Sequence, residues 1–326
     1  MIKLIYALLL SLGLFACDTI SDFDKPNPGN RAYQWSVDAI NTDTIYNGFS
    51  GIGSVWGSSP NDLWIVHGSA GELWRKEGQT WRKAETPLEF KPVTGYYFGN
   101  NQFLLVSKEN TSCFYNGSSF EEVKHIDNSG LQNIVINDVF AISPTEIYAV
   151  GSHDVDSFQR SLLMRYDGST WSVIKTDSLG NFNKIAKGYN TNFFIEFNPL
   201  GKYHRILEWD GKNFKLFAVD YIDFALIGQS IYFIDSGIFY KYDNGKIYMW
   251  KDFEMIDNNK IYGRDECDIF SGNWNGIVHY NGTDEAYIYL MDYMTLYDCY
   301  LSDSEVYFLV YDYNTSRLKV ICGVYK

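Results

Sequence analysis

Along most of the chain, apolar and polar residues alternate in short runs broken by Gly, Asn, Asp and Pro, the period of two that predicts half-buried β-strands. One unit is clear. Val55-Trp56-Gly57-Ser58-Ser59-Pro60-Asn61-Asp62-Leu63-Trp64-Ile65-Val66 is followed by Gly71-Glu72-Leu73-Trp74, a turn at Glu77-Gly78, and Gln79-Thr80-Trp81. The same order returns from Val139 to Gly151, with Ser143-Pro144-Thr145-Glu146 at the first turn, then Leu162 to Tyr166, Asp167-Gly168 and Ser169-Thr170-Trp171. Each copy reads as four strands joined by turns, and no stretch predicts a helix as convincingly.

Weaker copies are marked by Asn116-Gly117, Asp210-Gly211, Asn244-Gly245 and Asn281-Gly282, pairs that tolerate positive φ and favour tight hairpins. Gly78 to Gly282 spans 204 residues over five intervals, about 41 each, which is the length four short strands and their turns consume. Tyr33 to Lys326 contains 294 residues, or 42 for each of seven units. The expectation is an all-β chain forming a single seven-bladed β-propeller of four-stranded blades. Gln34-Trp35-Ser36-Val37 reads as an orphan last strand, and Cys299 to Tyr325 as three strands lacking a fourth. The N-terminal strand should therefore complete the last blade and remove the open edge that templates aggregation.

The Val-Trp-Gly-Ser-Ser-Pro-Asn-Asp-Leu-Trp segment with its Tyr-Asp-Gly-Ser-Thr-Trp partner resembles the repeats of uncharacterised β-propeller lipoproteins of the Bacteroidota, over Ser50 to Trp81 and Asn137 to Trp171. That resemblance implies a fold and a location and brings no activity.

The N-terminus agrees with it. Lys3 precedes an apolar stretch from Leu4 to Ala16, too short to cross a bilayer and read as an export signal over residues 1–16. Leu14-Phe15-Ala16-Cys17 resembles the lipobox of bacterial lipoproteins, which implies acylation, palmitate included, on Cys17. Several acyl chains would anchor the protein stably in a membrane. Residues 17–33, with Pro26, Pro28 and Gly29, read as the lipidated cysteine and a flexible tether, and residues 34–326 as the propeller domain. Asp18 resembles an inner-membrane retention signal, whereas the run Asp18, Asp22, Asp24 is similar to surface-export signals of Bacteroidota lipoproteins. An outer-membrane location, on the surface or the periplasmic face, is the expectation.

Composition refines this picture. The chain has 326 residues, 26 Tyr, 22 Phe and 9 Trp, a supply of flat rings that suits pleated surfaces. Its formal charge of −13 repels nucleic acid and anionic lipid, so no nucleic-acid partner is expected. Cys113, Cys267, Cys299 and Cys322 permit two disulfides in an exported protein. Cys113 and Cys322 nevertheless fall in strand-like runs as small buried hydrophobes, and no Cys/His spacing suggests zinc. No cofactor and no metal are expected.

No catalytic motif stands out. Asp167-Gly168-Ser169-Thr170-Trp171 is one residue short of the sialidase Asp box, and Arg264-Asp265-Glu266-Cys267-Asp268 aligns with the Ser-Ser-Pro-Asn-Asp turn, which reads as a solvated hairpin. Propeller topology puts interblade loops and second-to-third-strand loops on one face, and irregular insertions there carry recognition. The residues assigned to ligand binding on that face are His67, His153, Asp154, Asp156, Arg160, Tyr203, His204 and Trp274. Asp43-Thr44-Ile45 and Asp177-Ser178-Leu179 resemble a Bacteroidota O-glycosylation motif. The leading functional expectation is a non-enzymatic binding or interaction module for a glycan or protein. A glycoside hydrolase or lyase is the alternative, needing two carboxylates about 5 to 9.5 Å apart at the channel mouth, with Asp154, Asp156, Asp235 and Glu109 as candidates. A structural subunit of an envelope assembly is the third reading, marked by a large apolar patch.

Overall fold

The computed structural model describes residues 29–40 and 53–326, apart from 69, 79, 108–109, 127–129, 157, 189–191, 200–203, 220–222, 236, 244 and 257–259. Cys17, Tyr203, Glu109 and Asp43-Thr44-Ile45 lie outside the described residues. The described chain is all β, with no helix.

Strand β1 (Tyr33–Ala39) precedes a four-stranded sheet of β2 (Gly53–Ser59), β3 (Asp62–His67), β4 (Glu72–Glu77) and β5 (Thr80–Lys83). A second sheet holds β6 (Pro92–Gly99), β7 (Gln102–Ser107), β8 (Thr111–Tyr115) and β9 (Lys124–His125). Next come β10 (Gln132–Ser143), β11 (Glu146–Val155), β12 (Phe158–Tyr166), β13 (Trp171–Lys187), β14 (Phe193–Pro199), β15 (Arg205–Trp209) and β16 (Phe214–Val219), hydrogen-bonded in that order as one seven-stranded sheet. Two further four-stranded sheets follow: β17 (Asp223–Ile227), β18 (Ser230–Asp235), β19 (Ile238–Asp243), β20 (Lys246–Asp252), then β21 (Ile261–Asp265), β22 (Asp268–Asn273), β23 (Gly276–Tyr280), β24 (Glu285–Leu290). The last contains β25 (Met294–Leu301), β26 (Glu305–Asp312) and β27 (Arg317–Tyr325), and β1 is its fourth strand.

All ladders are antiparallel, and the arrangement is that of a β-propeller built from four-stranded blades. Four of the sharp hairpins share one local device. Asp167 Oδ1 accepts the backbone N–H groups of Ser169 and Thr170, both at 2.9 Å, while Gly168 sits at φ +96°, which only a residue without Cβ adopts cheaply. Asn116, Asp210 and Asn281 repeat this side-chain turn. These backbone N–H groups hold the Asp167 carboxyl down at about 2. The Asp-Gly recurrence is therefore structural.

The core lies between successive sheets. Trp56, Trp64 and Val66 from one sheet pack with Phe103, Leu105 and Tyr115 from the next, and Val55, Leu63 and Trp74 pack with Tyr307, Leu309 and Val320, joining the first sheet to the last. Strand β1 fastens that junction. It pairs with β27 from Tyr33↔Tyr325 to Ala39↔Lys319, with Trp35 opposite Gly323. A Cβ on Gly323 would lie 2.4 Å from Trp35 Cζ3, so the indole occupies the space a side chain would need. Its ring centroid is 5.3 Å from Tyr33, 5.5 Å from Tyr289 and 6.3 Å from Phe308.

Candidate functional site

The first strands of the sheets face a common axis, and their side chains line a cavity of about 390 Å³. Gly53 and Ser54 come from β2, Thr94 from β6, Asn137 and Asp138 from β10, Asn183 and Lys184 from the second half of β13, Asp223 from β17, Lys260 to Tyr262 from the start of β21, and Tyr297 and Asp298 from β25. Glu196 reaches in from β14. Gly53 and Asp223 open their strands and Lys260 precedes its own, so the cavity lies toward the face where interblade loops enter.

Two lysines and four carboxylates share this space, and most of their hydrogen-bonding capacity is committed. Asp138 accepts the N–H of Val139 at 2.9 Å and, across to the neighbouring strand, that of Ile185 at 3.0 Å. Asp298 does the same with Cys299 and with Val55, both at 2.8 Å. Asp223 accepts the Phe224 N–H at 2.7 Å and the Lys184 ammonium at 2.8 Å. Each aspartate thus braces its own strand, and two of them stitch it to the next unit.

Burial sets the charge balance. It pushes the Asp138 carboxyl up to about 6, against the pull of the Ile185 N–H, the Lys184 ammonium and the Val139 N–H. Asp298 is raised for the same reason, despite Val55, Cys299 and Lys260. Glu196 is raised by burial and by Asp223, with Asn183 and His204 opposing. Burial would depress Lys184, but Asp223 outweighs it and the ammonium is held above its ordinary value. Lys260 goes the other way: burial lowers it more than Asp298 raises it, and its Nζ donates to the Tyr297 carbonyl at 2.8 Å. The cavity can accept a small polar or hydrogen-bonding group without presenting a fixed excess of positive charge.

The sequence-assigned residues are dispersed. His67 ends β3, buried, with Nδ1 4.0 Å from Glu72, whose carboxylate also takes Lys83 at 2.7 Å. His153 is buried in β11 opposite Arg160, and its two ring nitrogens have no hydrogen-bond partner among the described residues. Asp154 accepts the Asn133 amide at 2.9 Å, and Asp156 is exposed at φ +48°. His204 Nδ1 meets Glu196 at 2.9 Å and so touches the cavity's acid set. Trp274 is 54% exposed at the β22–β23 turn, where Tyr313 lies 5.4 Å from it, centroid to centroid. Among the described residues no group of three or more His, Cys, Asp or Glu side chains could hold a metal.

Two sequence readings need revision. The Arg264 to Asp268 turn is not a solvated hairpin: Asp268 is buried, bound by Arg264 and, at 2.8 Å, by His279, which stacks on Phe270 at 4.4 Å. Burial raises the Asp268 carboxyl, but His279 and Arg264 outweigh it and hold it below its ordinary value. The carboxylates at the axis are Asp138, Glu196, Asp223 and Asp298, and Asp154, Asp156 and Asp235 are not among the residues lining it. One signal was present: Asn137-Asp138-Val139-Phe140 and Tyr297-Asp298-Cys299-Tyr300 both place an acid inside the first strand of a repeat, where the alternation alone predicts an apolar or small residue.

No protein-family model and no curated protein sequence matches the chain. Solved β-propeller structures do. Virginiamycin B lyase from Staphylococcus aureus superposes with a TM-score of 0.64 at 10% identity, covering 90% of this chain and 100% of the lyase. YCF48 from Cyanidioschyzon merolae gives 0.60 at 11%, covering 89% and 98%. The extracellular domain of a one-component system from B. thetaiotaomicron gives 0.61 at 11%, covering 89% of this chain and 40% of that one. At such identities the likeness establishes the fold alone, and the fold is a β-propeller.

Proposed function

We propose that this chain is a lipid-anchored cell-envelope β-propeller of seven blades that acts as a non-enzymatic binding module for a glycan or protein. The blade count rests on β13. Its first half pairs with β12 up to Leu179 and its second half with β14 from Gly180, so one long strand serves as the outer strand of one blade and the inner strand of the next. Divided there, the seven-stranded sheet becomes two four-stranded units sharing β13, and the first strands of all seven units line the cavity.

The observation that carries the binding reading is the state of two of the four axial carboxylates, Asp138 and Asp298. A hydrolase or lyase needs an acid and a base free to reach substrate. Asp138 and Asp298 instead give both oxygens to backbone N–H groups of adjacent strands. The fold does not decide the matter, since one structural neighbour is described as a lyase and another as bound to a peptide.

Attachment through acyl chains on Cys17, at the outer membrane, fits the way the chain enters the domain. Gly29 N–H donates to the carbonyls of Cys267 at 2.9 Å and Asn281 at 3.1 Å. Arg31 donates to Asp284 at 2.6 Å and to the His279 carbonyl at 2.9 Å. Cys267 and Asn281 belong to first-to-second and third-to-fourth strand turns, on the face opposite the interblade loops. An anchored domain would hang from that face, with the cavity directed outward.

The test is to present envelope glycans and an envelope-derived peptide library to the full chain and to its Lys260→Gln variant, while assaying for new reducing ends or cleavage products. Binding that Lys260→Gln weakens, without turnover, supports the reading. Turnover, or binding indifferent to the cavity substitution, overturns it.

A further inference from the structure

Beside the cavity, on the same face, five aromatic rings form a continuous row. Tyr297, in the cavity wall, lies 6.4 Å from Tyr311; Tyr311 is 4.9 Å from Tyr313; Tyr313 is 5.4 Å from Trp274; and Trp274 is 6.3 Å from Tyr293. The outer end is open to solvent, with Trp274 54% and Tyr293 60% exposed. Two exposed rings joined to three more in one row make a contiguous apolar strip of the kind that marks an interaction site.

The outer rings sit on backbone that is already fixed. Tyr293 N–H donates to the Trp274 carbonyl at 2.7 Å and Tyr313 N–H to the Tyr293 carbonyl at 2.9 Å, while Met291 N–H donates to Asn275 at 3.0 Å. The Asn314 amide ties the Asp292 carbonyl at 2.9 Å. Tyr293 is held at φ +58°, a left-handed conformation that a bulky residue seldom adopts and that recurs at binding sites. Three separate loops are thus locked together to display rings, which lowers the ordering cost of binding.

We propose that this row is a stacking track for a neutral polysaccharide chain, running from Tyr293 and Trp274 inward to the cavity at Tyr297. This deepens the binding-module reading and rests on it. The charge pattern selects the ligand. Asp292 is exposed, Lys319 neutralises Asp312 at 2.6 Å, and Arg317, exposed and opposite Asp312 in the β26–β27 ladder, offsets Asp292, so the platform carries no net charge in a protein of net charge −13. Uronates, phosphates and anionic headgroups are disfavoured. A pyranose offers an apolar C–H face to an aromatic ring and equatorial hydroxyls to flanking amides; Asn275 and Asn314 flank Trp274 and Tyr313, and although each Nδ2 already makes one bond, to the Tyr287 hydroxyl at 3.3 Å and to the Asp292 carbonyl at 2.9 Å, a side-chain amide has a second N–H and an acceptor oxygen for a hydroxyl. A peptide docking by main-chain pairing needs unpaired backbone N–H groups. Those of Met291, Tyr293 and Tyr313 are spent within the platform.

Titration of the full chain with neutral hexasaccharides of β-1,4-glucan, α-1,4-glucan, β-1,4-xylan and β-1,4-mannan, followed by tryptophan fluorescence and calorimetry, tests this. At least one should bind, Trp274→Ala should weaken it about tenfold or more, Tyr293→Ala should weaken it, and Trp274→Phe should restore part of the affinity. Tyr248→Ala, an exposed ring on the outer strand β20, should change nothing. Trp274 is exposed, so an unchanged unfolding midpoint shows that its loss acts on binding. Binding by none of the four, binding undiminished in Trp274→Ala, or a dimer that Trp274→Ala dissolves would overturn the track. A peptide ligand sensitive to Lys260→Gln but not to Trp274→Ala would sink the track and leave the binding module standing.

Discussion

Trp35→Ala probes the closure of the ring. The indole fills the space above Gly323 and packs against Tyr33, Tyr289 and Phe308 at 5.3, 5.5 and 6.3 Å. Truncating a fully buried Trp costs about 3–5 kcal/mol. Trp35 is half-buried, which brings the expected loss to about 2–3 kcal/mol. For a chain of this size each kcal/mol moves the midpoint by roughly 2–4 °C, so Tm should fall by about 4–12 °C. Urea denaturation should show a lower midpoint with an unchanged slope, because the surface exposed on unfolding is the same. Trp274→Ala is the internal control and should stay within about 0.5 kcal/mol of wild type. A Trp35→Ala protein as stable as that control would refute the claim that β1 closes the structure.

Other consequences can be measured directly. Asp298→Ala leaves the Val55 and Cys299 N–H groups without their acceptor and should cost about 2–4 kcal/mol in chemical denaturation. The Asp268 carboxyl is held low, so it contributes stability above the unfolded carboxyl value that is lost as pH falls through its folded value. Below about pH 4, wild type should therefore lose more stability than Asp268→Asn. Asp138 has the opposite sign: its carboxyl is raised to about 6, so stability falls as pH rises from the unfolded carboxyl value to about 6, and Asp138→Asn should flatten that slope in a pH series of unfolding midpoints. Burial pushes the Cys113 thiol up to about 11, so alkylation of Cys113 should require unfolding, as peptide mapping would detect. Acylation at Cys17 should appear in the intact mass and vanish in Cys17→Ser.

The strands and turns were legible because the residues that make them act locally. The Ser58 hydroxyl reaches Asp62 across its own turn, and Asn116, Asp167, Asp210 and Asn281 accept the N–H groups two and three residues on, so each of these copies carries its own signature. The pairing of β1 with β27 was legible for a different reason: a strand without neighbours at one end and a sheet short of a strand at the other leave one solution. The axial charges were not legible. Asp138 and Ile185, 47 residues apart in consecutive units, and Asp298 and Val55, 243 apart, meet only when the units come round a common axis. Histidine placement misled because a loop position near a strand end does not report burial, and His67 and His153 turned inward. Trp274 was visible as an unpaired ring between two glycines, but its partners Tyr293, Tyr311 and Tyr313 lie on other loops and strands.

In the proposed arrangement one face of the domain meets the ligand while the other faces the membrane. Hydrogen exchange read by mass spectrometry, with and without the tightest-binding hexasaccharide, tests that directly. Added protection should fall on residues 273–276, 291–297 and 311–315, with none at the turns 116–119, 167–170 and 281–284. Protection at those turns, with the aromatic loops unchanged, would contradict it.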